Sequence, residues 1–314
     1  MAVEAIDAAG ALPVTADGAS SARDLIGLAE LGALSRRSTL RGAIQLADHL
    51  GCISATGFLV WLALPYWLLL IPAMLLHGIT LVTMFAPMHE CAHRTAFASR
   101  AANVAVGWIA GVLSFYNSTY YRYFHGWHHR YTQDPARDPE LMFPRASDRA
   151  TYLREITGVT FWYRRALDYP ALAIGRIGNL PFVPASTRRG IATSMSVQLA
   201  IYGAAAGSIA IGYTAPLYFW FLPVVLAMPL LRAYLLTEHT GCSHDGDGLA
   251  NTRTTLTLFP IRLLMWNMPF HAEHHLFPSI PFHQLPAVHL KVRGRLKHIA
   301  PGYIATNRAI FRSL

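Results

Sequence analysis

Two long apolar blocks dominate the chain. The first runs from about Gly42 to Pro87 and is too long for one crossing of a bilayer, which takes roughly 20 helical residues. Pro65, flanked by Trp61, Tyr66 and Trp67, breaks it near its middle. The pattern predicts two helices, over about 43–64 and 66–87, joined by a tight turn at an aromatic interface belt. The second block runs from about Ile191 to Leu236 and is interrupted from Gly212 to Pro216, with Tyr213, Tyr218 and Trp220 alongside. It predicts a second hairpin, over about 193–212 and 216–236. The expected fold is therefore all-α and integral to the membrane: four transmembrane helices in two hairpins, with both chain ends and the long middle segment on one side.

Weaker patterns fill the remainder. Residues 1 to about 20 are rich in Ala, Gly, Ser and Asp and are expected to be disordered, and 22–40 to form a short amphipathic surface helix. The stretch 103–121 is apolar, but histidine motifs lie close on both sides of it. A full crossing there would separate those motifs across the membrane, so an interfacial or re-entrant helix is expected. The division read from sequence is an N-terminal segment over 1–40, one membrane domain over 41–300 and a C-terminal tail over 301–314.

Composition agrees with a lipid-facing surface. Hydrophobic residues make up 53% of the 314 positions and charged residues only 14%, against about 25% in ordinary soluble domains. Net charge is +9, yet no basic arm or helix gathers it, so nucleic acid is not the expected partner. All 26 Lys and Arg lie before the first hairpin, between the hairpins, at the end of the last helix (Arg232) or after it, and neither hairpin turn carries one. The positive-inside rule then puts the middle and C-terminal segments in the cytosol, in a bacterial inner membrane on this reading. Three cysteines without a CxxC pair make no disulfide framework and suit a reducing face. No signal peptide is read in the first residues, so insertion is expected from the internal segments.

The chemistry is carried by histidine. His89 and His93 form HECAH after the second predicted span; His125, His128 and His129 form HGWHH; His271, His274 and His275 form HAEHH after the fourth; and His239 follows Glu238 where that span ends. Residues three and four apart share a helix face, so each cluster can aim its imidazoles at one point. All of them fall on one predicted side, at one depth. Nine imidazoles exceed the four ligands of a single zinc and suffice for two metals, although imidazole suits iron, zinc and copper alike. His77 and His49, inside the spans, are functional candidates by location, but a hydrogen-bonded core histidine is as good an account of His77. Carboxylates recur beside the boxes, at Glu90, Asp134, Asp138, Glu238 and Glu273. Glu238 and Glu273 are the foremost candidates to accept imidazole N–H bonds and fix the ring tautomers.

At these motifs the chain resembles the membrane fatty acid desaturases and hydroxylases with three histidine boxes. HHRYTQDPARDPE, NTRTTLTLFP and WNMPFHAEHHLFPSIPFHQLP extend the likeness, which covers roughly residues 50–290. The EHTG at Glu238 and the HHLFPSIP run are similar to the dihydroceramide desaturase branch and related bacterial enzymes. The resemblance implies a helical cytosolic cap holding two iron ions on His89, His93, His125, His128, His129, His271, His274 and His275, with His239 as the additional ligand and His244 as its competitor. It further implies O2 as co-substrate, a lipid acyl chain as substrate, and either desaturation or hydroxylation as outcome. No fused haem domain, CxxC pair or GxGxxG is found, so electrons are expected from a separate ferredoxin, rubredoxin or b-type cytochrome. Basic positions such as Arg145, Arg149, Arg154, Arg164 and Arg165 are available to dock such a carrier, although plain positive-inside bias explains them as well. The rival readings are oxidation of a carotenoid, alkane or small metabolite on the same scaffold, and a non-catalytic membrane metal-binding protein.

Overall fold

The computed structural model describes residues 25–142 and 146–314, so the expectations for the first 24 residues and for Arg145 lie outside the described residues. A short helix α1 (Leu28–Leu34) leads into α2 (Thr39–Ala63), whose Ser38 hydroxyl accepts the Arg41 N–H as N-cap. After a turn containing Pro65 the chain reverses into α3 (Trp67–Val82) and, past a break at Thr83 and Met84, α4 (Phe85–Ala92). The second predicted helix thus extends beyond Pro87, and the first histidine box rides on its last turns rather than following it.

Helix α5 (Arg100–Ser114) covers the apolar stretch between the first two boxes. Its 15 residues are short of a crossing. Phe115 takes a left-handed conformation (φ 61°), and the chain turns into α6 (Ser118–Arg130), N-capped by the Asn117 side chain. Then come α7 (Arg149–Ile156), α8 (Val159–Ala173) and α9 (Arg188–Ala210). A π-helical turn at Leu217–Phe221 feeds α10 (Leu222–His239).

Beyond α10 the chain is built from small pieces. Strand β1 (Thr254–Thr255) pairs in parallel with β2 (Ile299–Ala300), and between them lie α11 (Phe259–Leu264), α12 (His271–Leu276) and α13 (Leu285–Val292). The C-terminal stretch set apart in the sequence is a helix, α14 (Tyr303–Ser313), tied to α10 by the Asn307 amide donating to the Ala233 carbonyl (3.1 Å). Trp266 is fully buried and its indole N–H donates to His49 Nδ1 (3.2 Å) across to α2. His49 and His77 are thereby accounted for: His49 Nε2 also bonds the Thr80 carbonyl, and His77 bridges Thr56 and the Phe219 carbonyl.

Among the described residues three helical stretches are long and apolar enough to cross a membrane: Thr39–Ala63, Trp67–Ala92 and Leu217–His239. Helix α9 has the length but not the apolarity, because Ser194 and Gln198 interrupt it. Both turn toward protein: Ser194 Oγ accepts from the Trp108 indole and the Asn117 amide, and Gln198 Oε1 from Asn117 (3.0 Å).

The tightest inter-helix seam joins α3 to α10. A Cβ on Gly78 would stand 1.9 Å from the Pro223 carbonyl oxygen and 2.9 Å from the Ala227 methyl. Small residues at such crossings let helix backbones approach where no hydrophobic force is available to drive them together. Gly78→Val is expected to cost about 1–3 kcal/mol, the range for overpacking, read as a lower melting temperature of the detergent-solubilised chain. An unchanged melt would mean that the seam is looser than described.

Candidate metal centre

Four elements deliver the box histidines. His89 lies on α4, His93 caps it, His125, His128 and His129 lie on α6, and His271, His274 and His275 on α12; His239 ends α10. The expectation of one convergence point per cluster needs correcting, because the rings gather around two centres. His89, His93, His125, His129 and His274 form one group, and His128, His239 and His275 a second, with the ligating atoms of each within 4.8 Å of one another. His271 stands at the edge of the second, its Nε2 3.2 Å from that of His239.

Helical spacing explains the split. Four residues advance a helix by about 400° and three by about 300°, so an i, i+4 pair points one way and the i+3 residue points to the side. On α6 the pair His125 and His129 enters the first group while His128 swings into the second. On α12 the pair His271 and His275 faces the second group, and His274 enters the first.

Both groups fit a bound metal better than they fit empty imidazole. In the first, Nε2 atoms follow one another around a ring: His89 to His274 at 2.9 Å, His274 to His129 at 3.1 Å, His129 to His125 at 2.9 Å and His125 to His89 at 3.1 Å. A neutral imidazole nitrogen holds one proton or one lone pair, so four of them cannot satisfy four mutual contacts. Neighbouring ligands at right angles, each about 2.1 Å from a shared metal, would lie about 3.0 Å apart. The Nε2 atoms of His93 and His275 are buried without a hydrogen-bond partner among the described residues.

In the second group three of the four outer nitrogens are held. Nδ1 of His128 donates to Asp138 Oδ1 (2.9 Å), Nδ1 of His239 to the Asn251 carbonyl (3.2 Å) and Nδ1 of His275 to Thr132 Oγ1 (3.1 Å). Nδ1 of His271 lies 3.5 Å from Glu238 Oε1 without a hydrogen bond, so the tautomer is set at the other three rings. With the protons fixed outside, the Nε2 lone pairs are left facing inward, the tautomer a metal requires. In the first group Tyr121 plays this part for His89, its oxygen 3.2 Å from Nδ1.

Burial sets the electrostatics. Desolvation, and then the neighbouring imidazoles, hold His125, His129, His271 and His275 well below the ordinary histidine range and bring His274 down to about 3. At neutral pH these rings are unprotonated. Burial pushes the Asp138 carboxyl up, but His128 and the N–H groups of Gln133 and Glu140 more than offset it, leaving the carboxyl below its usual range.

Of the two foremost carboxylates, Glu238 lies 3.5 Å from the His271 ring without a hydrogen bond to it, and the structure places Glu273 elsewhere. It lies two residues from His271, on the opposite face of α12, and its oxygens engage Thr254 and His289. Glu273 anchors the helix that carries three histidines instead of orienting a ring. His244 lies near the Gln133 carbonyl (3.4 Å) and in neither group. Asp134 pairs with Arg137, and Glu90 accepts the Phe282 N–H (3.0 Å). Sequence reasoning underrated Asp138 and missed Tyr121, Thr132, Asn251 and Glu140, the last of which joins His125 and His128 in a third cluster. Asp138 and Glu140 stand in the DPARDPE run after the second box, which was the available signal.

A cavity of about 840 Å³ reaches both groups, touching His89, His125, His128, His239 and His271. Phe85, Tyr116, Tyr121 and Phe124 line its inner wall. Asp138→Asn is expected to lower metal affinity about 10–100-fold, measured by chelator competition on the folded chain. Undiminished affinity would rule out Asp138 as the group that holds His128.

Comparison with known proteins agrees with this geometry. A family model described as fatty acid desaturase matches residues 59–307. A dihydrorhizobitoxine desaturase from Bradyrhizobium elkanii is 26% identical over 265 residues, covering 79% of this chain and 74% of its own. An sn-1 oleoyl-lipid 12-desaturase from Picosynechococcus sp. is 24% identical over 273 residues, covering 81% and 76%. The chain belongs to the fatty acid desaturase family and is an oxidoreductase of that family.

Proposed function

We propose that this protein is a multi-pass membrane desaturase that uses two irons, O2 and electrons from a separate carrier to remove two hydrogens from neighbouring carbons of a lipid acyl chain. The observation that carries the reading is the pair of imidazole groups, one of five rings and one of four, at the inner end of a cavity lined with aromatic side chains. His89, His93, His125, His129 and His274 would hold one iron, and His128, His239, His271 and His275 the other. Bound there, the irons supply the oxidising power to break an unactivated C–H bond. In balance, one O2, two hydrogens from the substrate and two electrons with two protons from outside give an alkene and two waters.

The chain's own residues do the positioning. The aromatic wall from Phe85 to Phe124 holds the acyl chain and excludes water from the reacting carbons. Asp138, Thr132 and Asn251 keep the His128, His275 and His239 rings in the ligating tautomer. Four spans with the site on the cytosolic side are part of the proposal: the polar residues of α9 that lower its apolarity bond to α5 and to the Asn117 cap of α6, leaving lipid an apolar face. The electron carrier, a ferredoxin, rubredoxin or b-type cytochrome, would approach on that side. Both relatives described above are named as desaturases, which favours alkene over alcohol as product.

The test is product analysis. Iron-loaded protein in nanodiscs, supplied with ferredoxin, its reductase, O2 and acyl lipids, should yield a lipid two hydrogens lighter, and His274→Ala should yield none. A lipid one oxygen heavier would replace desaturation by hydroxylation. Absence of any O2-dependent product from acyl lipids would sink the lipid reading.

A further inference from the structure

The cavity that reaches the histidines is not a plain apolar tunnel. Arginine and carboxylate side chains line its outer part, and their pairing is uneven. Arg232 pairs with Glu155 (3.3 Å) and Arg164 with Asp168 (3.3 Å). Arg165, on α8, has no carboxylate within 4 Å among the described residues. Its guanidinium lies 4.1 Å from the Phe161 ring centroid, 4.8 Å from Tyr116 and 5.5 Å from Tyr169, and its Nε donates to the Phe115 carbonyl (3.2 Å).

Three aromatic faces compensate part of the cost of drawing a guanidinium out of bulk water, but they accept no planar hydrogen bonds. Nε is committed to Phe115, the Tyr169 hydroxyl also bonds the guanidinium and Asp168 attracts it from farther off, so an anion would meet only the edge left by these contacts, a fork that carboxylate and phosphate match. Arg154 and Arg176, both exposed, line the same cavity without a carboxylate partner among the described residues. The route from this cage to the histidines is short and aromatic: Tyr116 packs against Tyr121 (6.0 Å between centroids), and Tyr121 stacks on His125 (4.9 Å).

We infer that Arg165 is the anchor for an anionic head, so that the substrate is an acyl compound ending in a carboxylate or phosphate and not a neutral lipid. This rests on the proposed acyl-chain oxidation at the histidine centre. The aromatic cage fixes the guanidinium plane, the head binds in the cavity, and the chain runs past Tyr116 and Tyr121 to the reacting position. Arg154 and Arg176 draw the head in from the mouth and are less discriminating, being solvated.

The test is binding to the iron-loaded full chain in neutral-lipid nanodiscs without reductant, using two chain-matched pairs: hexadecanoate against its methyl ester, and lysophosphatidate against monoacylglycerol. At least one anion should bind about tenfold or more tightly than its neutral partner, and which pair shows the larger ratio tells carboxylate from phosphate. Arg165→Gln should bring that ratio to near one while neutral-partner binding and iron content stay as in wild type. Arg165→Lys, which keeps the charge and loses the fork, should fall between. Equal binding of anion and neutral partner by wild type, or an undiminished ratio in Arg165→Gln, overturns the inference. If Arg165→Gln does not fold, the wild-type ratio and Arg165→Lys still decide. A chain that holds no iron yet prefers the anion would overturn the catalytic reading and leave the anchor standing.

Discussion

Ring nitrogens that carry lone pairs and face one another about 3 Å apart, out of water, are mutually repulsive unless a cation stands between them. The rest of the structure depends on resolving that conflict. Protons are a poor solution, because burial and the neighbouring rings hold the imidazoles unprotonated, His274 down to about 3. Metal ions are the solution the geometry fits. On this account part of the binding free energy of the metals is folding free energy of the C-terminal segment that delivers α12.

The surrounding fold serves that convergence. The seam at Gly78 sets α3 against α10, and these two helices carry the first box, through α4, and His239. Helix α5 stays short, and the first and second boxes on either side of it meet in one group of rings. Glu273, bonded to Thr254 and His289, fixes α12 to β1 and α13 from behind, while the Trp266 indole ties the loop before α12 to His49 on α2. The two groups differ in how they are held. Acceptors engage three of the four outer nitrogens of the second, at His128, His239 and His275, while Nδ1 of His271 in the second and of His125, His129 and His274 in the first have no hydrogen-bond partner among the described residues. The second centre is therefore the one whose ring tautomers are set more fully by the protein.

Much of this is legible in the amino-acid sequence because it rests on period and punctuation. Pro65 and the Gly212–Pro216 interruption mark helix boundaries, and the i, i+3 and i, i+4 spacing marks eight of the nine histidines. The same spacing also contained the division into two centres, since 300° and 400° of helix rotation cannot aim at one point. His239 stands alone and gains its partners only through folding. Asp138, Asn251 and Thr132 are common loop residues whose value comes from the ring each one meets. Glu273 misled because nearness in sequence to a histidine says nothing of which helix face it takes. Helix α9 departs from the apolar pattern because its polar residues pay off inside the protein, at Asn117 and Trp108.

The most direct test of the two-centre account is Mössbauer spectroscopy with iron quantitation on iron-57-loaded protein, comparing wild type with His93→Ala and His275→Ala. The account predicts about two irons per wild-type chain as a coupled pair of inequivalent sites. His93→Ala should weaken the five-ring site and His275→Ala the four-ring site, each removing a different component of the spectrum. One metal per chain, or the same component lost in both variants, would contradict it.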